Sequence, residues 1–131
     1  MGGRDLQWVI LDTGALIALE RGGRELRGFV NRADEVHIPA GCLAQAWRSP
    51  RHQHALGRIV NAKETTVHPL DENLAKVTGL TCARSATADI VDASVVVLHQ
   101  MLRRKTERCV TATSDPDDLR AIDPTIRLYV C

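Results

Sequence analysis

The sequence predicts an α/β fold: a single domain over residues 1–131, built as a short parallel sheet flanked by helices on both faces. Three observations predict it. Short apolar runs alternate with stretches of helical periodicity along the whole length, as in a parallel sheet with crossover helices. The first run, Trp8-Val9-Ile10-Leu11, is continuous rather than alternating, which fits a strand buried on both faces. The 131 residues suffice for one real core, and neither a linker nor an internal repeat interrupts them.

Each element has its own signal. Asp12 ends the first strand, and Ala15, Leu16 and Leu19 then recur at helical spacing, so a helix begins near Gly14 with Asp12 or Thr13 as its cap. Arg21-Gly22-Gly23-Arg24 breaks it, and residues 25–31 form a short helix with Leu26, Phe29 and Val30 on one face. Val36 to Pro39 is a second strand, stopped by its proline. Residues 41–47 carry a helical face of Cys42, Leu43, Ala46 and Trp47, ended by Ser49-Pro50. Residues 52–60 are another amphipathic helix and Thr65 to His68 a third strand. Asp71 is an N-cap for a helix through Leu74, Ala75 and Val77. Residues 89–104 are the longest periodic segment and leave almost no polar face, which predicts a central helix closed by Arg103, Arg104 and Lys105. Cys109 to Thr113 is a fourth strand, 117–121 a short helix and 126–130 a final strand.

Composition excludes several classes. Lys plus Arg number 17 against 16 Asp plus Glu, too even for a protein coated to bind nucleic acid non-specifically. Binding to a polyanion must come from local patches or metal ions. An aromatic content of 3% argues against a base-stacking platform. The four cysteines, Cys42, Cys82, Cys109 and Cys131, are scattered without a C-x-x-C pair, so they read as reduced thiols rather than zinc ligands or a disulfide framework. No apolar run approaches the ~18 residues of a membrane span, and no signal peptide is evident, so a cytoplasmic location is expected.

Three acidic groups fall at connection points: Asp12 after the first strand, Asp89 and Asp92 opening the central helix, and Asp115, Asp117 and Asp118 after the fourth strand. In an open parallel sheet all strand C-termini share one edge, so Asp12 and Asp115 can be neighbours. Asp89 and Asp92 share a helix face at i, i+3. Carboxylates converging without a basic partner repel unless a divalent cation neutralises them, and Mg²⁺ takes such oxygen ligands. Each has a local alternative: Asp115-Pro116-Asp117-Asp118 is a good helix start, and Asp89 suits the dipole of a first turn.

LDTGALIALE at the start, IPAGCLAQAWR after the second strand, DIVDASVVVLH in the central helix and TATSDPDDL near the end stand in order over nearly the whole chain. In these four segments the sequence resembles the PIN-domain family, most closely the VapC-type toxin ribonucleases of bacterial toxin–antitoxin pairs. The resemblance implies an endoribonuclease dependent on Mg²⁺ or Mn²⁺, in which metal-activated water cleaves RNA phosphodiesters. It implies an antitoxin partner and a homodimer. It also implies Asp12, Asp92 and Asp115 as the catalytic, metal-holding acids, Asp118 as a frequent further acid beside Asp117, and Thr113 as the hydroxyl residue at the site.

One position departs from the pattern. The family usually has Glu where this chain has Gln45, which takes one negative charge out of the cage. Asp89, one turn before Asp92, is the residue placed to supply that charge as a further ligand; its alternative role is to cap the helix. Gln45 also sustains a rival reading, a degenerate PIN domain that binds RNA or protein without cutting. Arg48, Arg51 and Arg58, with Arg21 and Arg24, are candidates for contacts to an RNA backbone, or else a solvated face. The helix carrying Arg51 and Arg58 is expected near the rim of the acidic site. His52-x-His54 lacks further ligands, no glycine-rich phosphate loop follows a strand, and nothing in the sequence pairs Cys42 or Cys109 with a histidine as a nucleophile.

Overall fold

Strands and helices alternate in the computed structural model, which describes residues 7–49 and 53–131. The strands are β1 (Trp8–Leu11), β2 (Glu35–Pro39), β3 (Thr65–His68), β4 (Cys109–Thr113) and β5 (Leu128–Val130). The helices are α1 (Thr13–Glu20), α2 (Arg24–Asn31), α3 (Ala40–Ala46), α4 (His54–Asn61), α5 (Glu72–Ser85), α6 (Ile90–Arg103) and α7 (Pro116–Ile122). The strands form one sheet in the order β3-β2-β1-β4-β5, every neighbouring pair parallel. β1 lies in the middle, as its uninterrupted apolar run requires, and Val9, Ile10 and Leu11 are fully buried.

The chain runs outward from β1 through β2 to β3, then returns to β1's other side for β4 and β5. The order therefore reverses between β1 and β4, the switch point where an open parallel sheet leaves a crevice beyond its strand C-termini. Asp12 follows β1 and Asp115 closely follows β4, so both stand at this crevice.

Helices cover both faces. α1 packs with α2 and α4 on the Val9 and Leu11 side, where Phe29 of α2 stacks on Tyr129 of β5 at 4.1 Å. α6 covers the other side with α5 and α7, burying Ala93, Val95, Val96, Val97, Leu98 and Leu102. The expectation of a central helix holds. The last strand is shorter than expected because Asp123 turns the chain: its carboxylate accepts from the Thr125 N–H and hydroxyl, and the Ile126 N–H bonds to the Asp123 carbonyl. Ile126 is buried in that turn rather than paired in the sheet. α4 begins at His54, and Pro50, Arg51 and His52 lie outside the described residues. Among the described residues no helix is long and apolar enough to cross a membrane.

The α6 side of the sheet is unexpectedly rich in histidine. His37 reaches Glu35 through Nε2 and His68 through Nδ1, both at 2.8 Å. His99, fully buried, meets the Thr111 hydroxyl at 2.8 Å, while its Nε2 has no partner among the described residues. Burial, reinforced by Arg103, pushes His99 down to about 4. The unfolded chain takes up this proton near the ordinary histidine pKa of about 6.5 and the folded chain does not. The His99 contribution to stability is thus present above 6.5 and is lost as the pH falls toward 4. Thermal melts of wild type and His99→Gln at pH 7, 6 and 5 should show the wild type losing ground to the variant on acidification; a constant difference would contradict this assignment.

Candidate active site

Asp12 caps α1. Its extended backbone lets Oδ1 accept the Ala15 N–H at 2.9 Å, so the local reading of Asp12 is correct. That bond leaves most of the carboxylate's acceptor capacity free. The Thr113 hydroxyl, buried at the end of β4, lies beside the Asp12 carboxylate, where it opposes the rise in its pKa, and accepts the Asp115 N–H at 2.9 Å. Thr113 thereby stands between the two acids that follow β1 and β4 at the switch point. Asp12 is only 7% exposed, and its pKa is raised chiefly by burial, with the Asp115 charge adding to it.

Asp115 holds the N-cap position of α7, but its side chain makes no capping bond. The helix-start reading of Asp115-Pro116 is right about the backbone, and the carboxylate stays exposed at the crevice. Asp89 does cap: its Oδ1 accepts the Asp92 N–H at 2.9 Å at the start of α6. Asp92 is pushed up to about 6, first by burial, then by the charges of Asp89, Asp118 and Asp12. Three chain segments thus bring Asp12, Asp92, Asp115 and Asp118 into one negative field, with Asp89 on its border. Asp117 is exposed in the first turn of α7.

No cation is among the groups that shift Asp12 or Asp92. A carboxylate-only set of this kind suits a hard divalent ion, and Mg²⁺ needs only one or two direct carboxylates because it keeps several waters. The set is open rather than closed: among the described residues no three His, Cys, Asp or Glu side chains are gathered closely enough to hold an ion together.

Gln45, on α3, joins the rim. The Thr13 hydroxyl, adjacent to Asp12, donates to Gln45 Oε1 at 2.6 Å. Cys42, one turn earlier on α3, is buried beside Thr13 and pushed up to about 12, mostly by burial and partly by Asp12 and Asp92. It remains a thiol at neutral pH and is no nucleophile. No signal in the sequence places Cys42 beside this site. Gly14 was legible only as a break, yet it is what admits the β4–α7 connection: a Cβ there would overlap the Ser114 hydroxyl and come within 3.0 Å of Ser114 Cβ.

The arginines divide. Arg48 lines a crevice with Arg21, Gln45 and Gln53, next to the acids. Arg58 lines a separate crevice between α2 and α4 with Arg27, Asn31 and Ile59, so the structure does not bring it together with Arg48. Arg51 lies outside the described residues.

The sequence matches no protein-family model and no curated protein. The fold is similar to that of a chain of VapBC2 from Rickettsia felis, in a crystal structure bound to a DNA fragment from their promoter. The TM-score is 0.62 at 10% identity, over 95% of this chain and 99% of that one. Identity this low speaks to the fold, which is PIN-like.

Proposed function

We propose that this chain is a VapC-type, Mg²⁺- or Mn²⁺-dependent endoribonuclease, the toxin of a toxin–antitoxin pair. The observation that carries the reading is the acidic field of Asp12, Asp92, Asp115 and Asp118 at the switch point of a PIN-like sheet, where no described cation is among the groups that shift Asp12 or Asp92. Asp12, Asp92 and Asp115 are the residues that would hold the ion, with Asp118 and Asp89 adding negative charge. A bound divalent ion would lower the pKa of a water and offset charge on the phosphodiester. The protein's own part is to hold the acids: the Ala15 N–H orients Asp12, Thr113 anchors the Asp115 backbone, and α6 presents Asp92. The likeness to a VapBC2 chain supports an antitoxin as partner. The proposal includes a homodimer, for which gel filtration or light scattering of the purified protein is the test.

The experiment is incubation of structured and single-stranded RNAs with purified protein in Mg²⁺ or Mn²⁺, and in EDTA. Internal cuts that need the metal are expected. The second reading, an RNA- or protein-binding domain that cuts nothing, draws on Gln45 and on the open spacing of the acids. RNA left intact under every condition decides for it.

The raised Asp92 pKa adds a pH signature. A carboxylate must be ionised to hold a metal, so affinity should climb as the pH rises through about 6. Between pH 7.5 and 5, Mn²⁺ binding should weaken by about tenfold from this group alone. In metal-free protein the sign for stability follows from the same shift: the folded state binds the Asp92 proton first, so this group favours folding below 3.8 and loses that contribution as the pH rises through 6. Affinity independent of pH over this range would contradict a role for Asp92 as ligand.

A further inference from the structure

The oxygen of Gln45 is already engaged by the Thr13 hydroxyl. That bond fixes the amide's orientation, and Nε2 is left with two N–H donors that meet no acceptor among the described residues. Gln45 belongs to a crevice of about 360 Å³ whose apolar surface comes from Ile17 and Ala46 and whose cations are Arg21 and Arg48. Among the described residues the ion pairs are His37–Glu35 and Lys76–Glu72, so neither guanidinium is paired. The crevice's one carboxylate, Glu20, is engaged: Oε1 accepts the Gln53 Nε2–H at 3.1 Å and the Leu56 N–H at 3.3 Å. Gln53, buried, in turn accepts the Arg48 N–H at 2.6 Å and the Ser49 N–H at 3.4 Å. The Glu20–Gln53 clamp therefore fixes the backbone of Arg48 against α1 before any ligand arrives.

The geometry points to a nucleotide subsite: Arg21, Arg48 and the Gln45 amide take a phosphate, and Ile17 and Ala46 form the apolar floor under its base or sugar. The inference rests on the ribonuclease reading, because the crevice adjoins the acids through the Thr13–Gln45 bond and would hold the strand one step from the scissile phosphate. Three donor side chains over an apolar floor match an acceptor-rich anion with a flat apolar part. The volume lies in the range of about 300–1,000 Å³ typical of small-molecule sites. Gln45 acts here as a substrate-positioning donor.

The test is NMR titration of the full chain with a short single-stranded oligoribonucleotide in EDTA, where binding is read without cleavage, beside the cleavage assay in Mn²⁺. The Gln45 side-chain amide and the Arg48 N–H should shift. Arg21→Gln, Arg48→Gln and Gln45→Leu should each weaken binding, and each arginine change should flatten the dependence of log affinity on log salt by about 0.7. Arg27→Gln, in the separate crevice, should change nothing. Binding at Gln45 without cleavage in metal supports the subsite and overturns the ribonuclease reading. Cleavage that the three substitutions leave untouched, with no shift at Gln45, overturns the subsite and leaves that reading standing. Shifts produced by an Asp- and Glu-rich peptide but not by RNA overturn the subsite as well, as does the absence of any binding.

Discussion

If the chain is the ribonuclease proposed above, Asp12→Asn should lower metal-dependent RNA cleavage by on the order of 100-fold or more and leave the fold intact. The two halves of this result have separate causes. Asn caps a helix as well as Asp, so the bond to the Ala15 N–H survives and α1 keeps its start. The substitution also removes a charge that burial and Asp115 already disfavour, so stability holds or rises. What disappears is the one buried carboxylate of the acidic field. Cleavage rates and thermal melts of the purified variant check both halves. A variant that cuts at the wild-type rate removes Asp12 from the site; one that fails to fold shows that the carboxylate itself holds β1 to α1.

Gly14→Ala should cost about 1–3 kcal/mol of stability, and the proposed cleavage should fall with it, although Gly14 bears no chemistry. The added methyl would overlap the Ser114 hydroxyl and press on its Cβ. Ser114 directly precedes Asp115, so the β4–α7 connection must move away from α1, and Asp115 moves with it. The cost comes from the neighbour, since Gly14 is helical and has no need of glycine's backbone freedom. Removing that neighbour should restore what was lost: Gly14→Ala with Ser114→Gly should regain most of the stability and activity. Denaturant unfolding of both variants measures it. A Gly14→Ala protein as stable and active as wild type would show that the connection yields freely.

The parallel sheet was legible because each strand is a short apolar run between turn signals, and β1, the central one, is the most continuous. The acids were legible because strand ends and helix starts converge at the switch point of such a sheet. A sequence cannot show how a carboxylate divides its oxygens between cap and crevice. Asp12 and Asp89 both make capping bonds, whereas Asp115, in the better local cap sequence, makes none. The histidines escaped notice for a related reason: His37, His68 and His99 stand alone in sequence, and sheet register and the packing of α6 bring them to their partners. Arg48 and Arg58 looked equivalent on paper, yet they line different crevices on α1's neighbours.

On the proposed function, the acids at the β1–β4 switch point form a divalent-cation site. Calorimetric titration of the purified protein with Mn²⁺ at pH 7.5 tests it most directly, with Asp12→Asn, Asp92→Asn and Asp89→Asn alongside. The expected result is saturable binding by the wild type that Asp12→Asn and Asp92→Asn abolish, with Asp89→Asn weakening it through loss of neighbouring charge. Absence of saturable binding by the wild type, or binding that survives in both Asp12→Asn and Asp92→Asn, would contradict the account.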